Sequence, residues 1–170
     1  MDGNLGDHNC FSKWLLEWIT PTVVASGRQA ASLSPSATTG DAVLIMPEIS
    51  LGGTSGEFFM VQNRSRTGND VLIPADGLLV WHVDATLDGG GYDFLYNNSF
   101  ASHKLLRLME ADGLEEIERG LPANAGDFYL PGMVFGRATT PSSAGYGGLT
   151  TDVFVSGIVR SADLYSAVLS

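Results

Sequence analysis

The side chains of this sequence that are best suited to chemistry are oxygen donors in and around a glycine-rich stretch at 85–101. Calcium binds roughly six to eight oxygen atoms from carboxylates, amides and backbone carbonyls. The spacing does not match an EF-hand loop, so the indication comes from composition. A solvated polar loop and a structural calcium site both remain open. The candidate ligands are Asp84, Asp88, Asp93, Asn97, Asn98 and Asp112, with Glu110 and Asp127 as further acidic residues.

The three histidines, His8, His82 and His103, are not spaced as a zinc site. The His-Glu-x-x-His motif is absent, whereas a self-contained zinc hydrolase needs about three protein ligands and a general base. His82 falls in a predicted strand beside Trp81. It is either a core histidine bonded to backbone or to a carboxylate, or it shares a strand face with Asp84. In the second case the pair could position a ligand or brace a neighbouring active site.

Other common catalytic motifs are absent from the sequence. It contains no Gly-x-Ser-x-Gly elbow, phosphate-binding loop or dinucleotide fingerprint, and the glycine run at 89–91 lacks the strand-to-helix context of a phosphate cradle. The single cysteine, Cys10, cannot form an internal disulfide or a thiolate metal site. Because Phe11 and Trp14 are close to it, we expect a small buried thiol rather than a nucleophile.

The composition is that of an ordered, acidic chain, which we expect to form a single domain over residues 1–170. Apolar residues make up 44% and charged residues 16%, which excludes a disordered chain. The net charge of −10, without a Lys/Arg cluster, argues against a nucleic-acid partner and favours cations. No apolar run reaches about 18 residues, so we expect no membrane span. The residues after Met1 do not form a signal peptide.

One helix is predicted near the N-terminus. Apolar residues recur at helical spacing over residues 11–19, before Thr20 and Pro21 end the helix. Its two tryptophans, Trp14 and Trp18, are expected to be buried against a sheet.

The rest of the chain is predicted to be β-rich, with 21 glycines and 7 prolines favouring long loops. The strongest strands are Glu57–Arg64 and Gly77–Asp84, and the second should be central because both of its faces are mostly apolar. We therefore expect a mainly β fold, sandwich-like or with a mixed sheet, and one N-terminal amphipathic helix; α+β is the alternative. Weaker strands are predicted at 22–25, 42–46, 104–111, 152–158 and 164–169, with a loop or weak edge strand at 26–40 and a helical turn at 114–119.

Five short segments, taken in order, resemble one protein family. They are FSKWLLEWITP at 11–21, FFMVQNR at 58–64, GLLVWHVD at 77–84, EADG at 110–113 and GDF at 126–128, before a Pro-Gly pair at 131–132. They are similar to the SKW-LGW-TP, YFLVENR, GLLIWHID, EADG and GD-F segments of immune-inhibitor-A-like zinc metallopeptidases. The order and approximate spacing are kept, and the resemblance covers roughly residues 1–160.

The resemblance implies a secreted zinc endopeptidase lineage. In that family the His-Glu-x-x-His helix lies upstream of the segments seen here, so no zinc ligand or catalytic glutamate is transferred to this chain. Met1 is matched to a methionine in the turn beneath the zinc site, and Met1, Trp14, Trp18 and His82 would support that site. The family also uses structural calcium. The implied partners are the N-terminal half of the catalytic domain and a protein or peptide substrate.

We therefore expect a non-catalytic downstream segment of a secreted metalloendopeptidase of this family, inactive alone, that supports the zinc site and the substrate cleft. The alternative is a stand-alone, extracellular, calcium-stabilised β-sandwich module that binds protein or glycan. The surface of the predicted helix discriminates between them. A segment built to meet another portion leaves an apolar patch, whereas an independent module buries it.

Overall fold

The chain folds into two open β-sheets with one short α-helix near the N-terminus. The computed structural model describes residues 6–46, 56–99 and 102–170. With 32% strand and 12% helical residues, the fold is mainly β, which confirms the predicted fold class. Within the ranges given above, no helix is long and apolar enough to cross a bilayer.

Eight strands build the two sheets. They are β1 (Thr22–Val24), β2 (Gln29–Leu33), β3 (Val43–Ile45), β4 (Glu57–Arg64), β5 (Gly77–Asp84), β6 (Leu106–Leu108), β7 (Val155–Ser161) and β8 (Leu164–Leu169). The first sheet has the order β1-β3-β4-β5-β6, and it is mixed because β1 runs parallel to β3 while the other pairs are antiparallel. The second sheet is antiparallel, in the order β2-β8-β7. The helix is α1 (Cys10–Leu15).

Strands β4 and β5 form the centre of the molecule because both of their faces are covered. On one face, Phe59 and Val80 pack into a core shared with Leu169 of the second sheet. On the other face, Phe58 packs against Phe11 of α1, with 6.2 Å between the ring centroids. All five side chains are buried. Side chains that alternate between two apolar environments explain why both strands read as continuous apolar runs.

Helix α1 is shorter than the apolar periodicity predicts. Asn9 begins it by accepting a hydrogen bond from the backbone N–H of Ser12 (2.8 Å), and it ends at Leu15. Glu17 adopts a left-handed φ of 59°. The backbone N–H groups of Glu17 and Trp18 donate to carbonyls of the last helical turn, which closes the helix there.

The two tryptophans therefore lie in different environments. Trp14 is partly buried and meets Phe58 edge-on, with 5.8 Å between the ring centroids. Trp18 is 60% exposed and contacts His8 edge-on at 5.4 Å. The expectation that both tryptophans are buried is wrong for Trp18. The left-handed Glu17 directs the chain away from the helical path, so Trp18 does not lie on the helix face that packs on the sheet.

Of the weaker predictions, one is confirmed and one differs in detail. The segment 26–40, expected to be a loop or a weak edge strand, contains β2, which is an edge strand of the second sheet. Strand β6 is shorter than the predicted 104–111. Short 3₁₀ helices lie in the connections, at Gly68–Asp70, Ile117–Arg119, Ala125–Asp127 and Tyr146–Gly148.

After β6 the chain leaves the sheet and returns beside the point where it left. We call the segment between these points, residues 113–126, the excursion. The backbone N–H of Asp112 donates to the carbonyl of Gly126 (3.0 Å). Tyr129 then pairs with Leu78 of β5 through two backbone hydrogen bonds of 2.9 and 3.1 Å. These contacts bring acidic residues from both ends of the excursion to one place.

Candidate metal centre

Three carboxylates that are separated in the sequence converge where the excursion closes. Glu110, Asp112 and Asp127 each place one carboxylate oxygen so that the three oxygens lie within 4.8 Å of one another. Glu110 and Asp127 are buried, and Asp112 is exposed. Among the residues that the structure describes, this is the one group of three or more His, Cys, Asp or Glu side chains with such spacing.

Backbone hydrogen bonds hold the two buried carboxylates in place. Glu110 accepts hydrogen bonds from the backbone N–H groups of residues 116 and 117, at 2.6 and 3.0 Å. Asp127 Oδ2 accepts one from the backbone N–H of Asn124 (2.7 Å), as part of a capping box on the turn Ala125–Asp127. Each carboxylate therefore has a fixed direction before any ligand arrives.

The exposed carboxylate depends on a glycine. Asp112 Oδ1 accepts a hydrogen bond from the backbone N–H of Leu114 (3.0 Å), and Oδ2 lies against Gly126. A Cβ at position 126 would lie 2.2 Å from Asp112 Oδ2, far inside contact distance. The Gly-Asp pair at 126–127 thus supplies both the space for one carboxylate and a second carboxylate.

Two buried oxygens beside this cluster lack a hydrogen-bond partner: Asp127 Oδ1 and the Tyr129 hydroxyl. Burial, together with the negative charges of Glu110, Asp112 and Glu116, raises the pKa of Asp127 to about 6. Burial and the charge of Asp112 also raise the pKa of Tyr129. Within the described ranges, no Lys, Arg or His forms an ion pair with any of the three carboxylates. Buried charges without a partner are rare, so this cluster has the character of a cation site.

The other predicted calcium ligands are used in local structure. Asp88 accepts backbone hydrogen bonds within its own turn, as does Asn97. Asn98 accepts from the backbone N–H of Leu106 (2.9 Å), and Asp93 takes part through its backbone carbonyl, which accepts from the backbone N–H of Asp88 (2.8 Å). Of the predicted set, only Asp112 lies in the carboxylate cluster.

The remaining predicted ligand, Asp84, belongs to a second polar constellation at the end of β5. His82 Nε2 lies 2.7 Å from Glu57 Oε1, and His103 Nε2 lies 2.6 Å from Asp84 Oδ2. Burial by itself would raise the pKa of Asp84, but hydrogen bonds from Thr86 and His103 hold it below its usual value. His82 is buried, which matches the expected core histidine bonded to a carboxylate.

Tyr146 lies between the two imidazoles. Its ring centroid is 4.5 Å from that of His82 and 3.9 Å from that of His103. Phe59 continues the stack beyond His82 (4.5 Å), and Tyr96 continues it beyond His103 (3.5 Å). This column of rings fastens two long loops to β5. Sequence patterns missed it because its members come from distant segments.

The residues predicted to support a neighbouring zinc site lie in different surroundings. Met1 lies outside the described residues. Three apolar side chains of the stretch 15–18 are exposed, and we call them the N-terminal apolar face: Trp18, Leu15 and Leu16, at 60%, 43% and 50%. Trp14 lies behind it in the core beneath α1.

Cys10 is a buried core thiol, as predicted. It is 1% exposed, and burial raises its pKa to about 12. Burial therefore disfavours a thiolate at neutral pH, which argues against a nucleophilic role.

Comparisons with protein-family models, with curated proteins and with solved structures find no match to this chain.

Proposed function

We propose that this chain is the non-catalytic downstream portion of a secreted immune-inhibitor-A-like zinc metallopeptidase. It provides a β scaffold beside the zinc-carrying portion and its substrate cleft, and it does not cleave peptides alone. The observation that carries this proposal is the N-terminal apolar face, which lies in the segment that follows the zinc site in the resembling family.

The N-terminal apolar face is presented on ordered backbone. Backbone hydrogen bonds close the turn after α1, and Trp18 is held against His8. The core beneath the helix is filled by buried side chains, among them Phe11 and Phe58. Covering a tryptophan removes about 150–250 Å² from water, at roughly 25 cal/mol per Å². A partner that covered this face would therefore gain several kcal/mol from one side chain and its neighbours.

The chemistry of the chain supports a non-catalytic role. Catalytic zinc is bound mainly through histidine, with an open position for water. In the part of the chain that the structure describes, the group with metal-site spacing contains carboxylates and no imidazole. His82 and His103 instead bond carboxylates within the ring column. Zinc and the general base would belong to the partner portion.

A stand-alone, calcium-stabilised extracellular module is the second candidate. Its support is the packing of the five-stranded sheet, which is covered on one face by the second sheet and on the other by α1. An independently folding sandwich needs such coverage. The N-terminal apolar face favours the first candidate, because an independent module would be expected to bury it.

Substituting the two tryptophans separately tests the proposal. Trp18→Ser should leave the melting temperature of the 170-residue chain within about 2 °C, because Trp18 is mostly exposed. Trp14→Ser is the matched control, and we expect it to lower the melting temperature by about 5 °C or more, because Trp14 packs on Phe58. Thermal unfolding followed by circular dichroism measures both changes.

The second half of the test measures peptidase activity, and it uses the reading frame extended upstream of the Met1 codon. We expect the DNA upstream of the Met1 codon to encode an in-frame His-Glu-x-x-His, and its full product to cleave casein in a zinc-dependent manner. Trp18→Ser should reduce that cleavage at least tenfold, and the 170-residue chain alone should show none. A frame that closes directly before Met1, or chelator-sensitive cleavage by the 170-residue chain, would contradict the proposal.

A further inference from the structure

We propose that Glu110, Asp112 and Asp127 form a calcium-binding site that joins the two ends of the excursion after β6. The site uses none of the residues of the N-terminal apolar face, so it stands whether or not the chain serves a peptidase. Of the calcium ligands that composition suggested in and around the loop at 85–101, it includes Asp112 alone.

The donor set selects a hard cation. All three groups offer carboxylate oxygen, which suits calcium, magnesium and manganese better than zinc or copper. Two ligands on one ion can be no farther apart than twice the metal–oxygen distance. For calcium–oxygen bonds of about 2.4 Å this limit is about 4.8 Å, and the three oxygens lie within 4.8 Å of one another, which is compatible with one calcium ion. Calcium also accepts an irregular set of ligands, whereas magnesium demands near-ideal octahedral geometry.

Asp127 Oδ1 is the observation that turns an acidic cluster into a site. Asp127 is 0% exposed, and Oδ1 has no hydrogen-bond partner, although Oδ2 is bonded to Asn124. A buried carboxylate oxygen is expected to be paired, hydrogen-bonded or bound to a metal. Within the described residues no cationic side chain pairs with the cluster, so a cation from solution is the partner that this oxygen lacks.

The mixed exposure of the ligands gives the ion a way in. Asp112 is exposed, so an ion reaches the site from solvent and keeps water on that side. Glu110 and Asp127 are fixed by backbone hydrogen bonds, so little ordering remains to be done when the ion binds. Water would complete the roughly six to eight oxygen ligands that calcium prefers.

Binding should order the excursion. Glu110 holds the backbone of residues 116 and 117, while Asp127 holds the turn at its far end through Asn124. One ion would therefore link both anchors of the segment 113–126 and reduce the repulsion between the buried carboxylates. Because the ion binds the folded chain, it should raise the stability of the chain.

Isothermal titration of the 170-residue chain with CaCl₂ measures the site directly. We expect one site with a Kd of about 0.1 mM, in the range of extracellular calcium modules, and magnesium binding at least tenfold weaker. At 10 mM calcium the melting temperature should rise by about 5 °C. Terbium should give tyrosine-sensitised luminescence, since Tyr129 follows Asp127 by two residues.

Variants assign the binding to these residues. Asp112→Asn changes an exposed side chain, so the protein should fold, and calcium affinity should fall at least tenfold. Asp127→Asn should do the same and should abolish the sensitised terbium signal. Asp88→Asn is the matched control outside the cluster and should bind as the parent does. No heat at 10 mM calcium, unchanged binding in Asp112→Asn, loss of binding in Asp88→Asn, or equal affinity for magnesium would each overturn the assignment.

Discussion

Tyr129 and Asp127 show what burial does to a polar side chain that lacks a partner. Each places an oxygen in the interior without a hydrogen bond. For Asp127 a cation can supply the missing interaction, because a carboxylate oxygen is a strong ligand. The neutral hydroxyl of Tyr129 gains much less from an ion. In the absence of metal, the hydroxyl is therefore a net cost to folding.

Removing that hydroxyl should not destabilise the protein. With chelator present, we expect Tyr129→Phe to leave the free energy of unfolding unchanged or to raise it by about 1 kcal/mol, since an unpartnered buried polar group is lost. Tyr165→Phe is the matched control, because the Tyr165 hydroxyl donates to the carbonyl of Asp76 (3.3 Å) and its loss should cost about 1 kcal/mol. Urea unfolding of both variants measures the difference. A loss of 1 kcal/mol or more in Tyr129→Phe would show that its hydroxyl has a partner.

Among the structural elements, β4 and β5 were predicted with their observed bounds, because both of their faces are apolar and turns flank them. The end of α1 was not, because the left-handed residue there is Glu17, where a sequence signal would have been glycine. Strand β2 was ambiguous because its Ser- and Ala-rich sequence has little strand preference.

The candidate site was predicted only in part. Asp112 was named as a ligand from composition, but composition placed the site in the loop at 85–101. The pairing of Asp112 with Gly126 is a long-range contact that no local pattern encodes. Glu110 and Asp127 lie in the segments EADG and GDF, which the sequence analysis singled out. That their carboxylates are close together is seen only in the folded chain.

Asp76 links the first sheet to the second. It immediately precedes β5, and its carboxylate accepts hydrogen bonds from Arg66 (3.1 Å) and from Arg160 of β7 (3.0 Å). Burial would raise the pKa of Asp76, but hydrogen bonds from the backbone and guanidinium of Arg66 and from Arg160 lower it. Because the folded-state pKa lies below the unfolded value, the stabilisation is present above the unfolded pKa. It is lost as the pH falls through the folded pKa.

Asp76→Asn should therefore have a pH-dependent effect. At pH 7 we expect it to lower the free energy of unfolding by about 0.5–1 kcal/mol, a magnitude that allows for solvent screening of the pair. The difference from the parent chain should shrink once the pH falls below about 3.9, the usual value for Asp. Asp163→Asn is the control, because Asp163 is exposed and lies 3.7 Å from Arg160. Urea unfolding at pH 7 and pH 3 makes the comparison, and an effect of equal size at both would contradict the linkage.

Over the whole molecule, negative charge dominates the electrostatics. The formal charge is −10 in 170 residues, so the folded chain repels itself and attracts cations without specificity. Two effects of calcium must then be separated: general screening, which any salt supplies, and occupation of the carboxylate cluster. Screening depends on ionic strength, whereas a site depends on the identity of the ion and on its ligands.

Matched ionic strength separates the two effects. Raising NaCl from 30 to 300 mM shortens the Debye length from about 18 to about 6 Å, so the melting temperature should rise by a few degrees in the parent chain and equally in Asp112→Asn. Adding 10 mM CaCl₂ should raise it in the parent by about 5 °C more than about 30 mM NaCl, which has the same ionic strength, and by about half of that or less in Asp112→Asn. Differential scanning calorimetry of both proteins in both salts gives the four values. If calcium and sodium act alike at equal ionic strength, the response belongs to the net charge, and the three carboxylates do not bind calcium as a site.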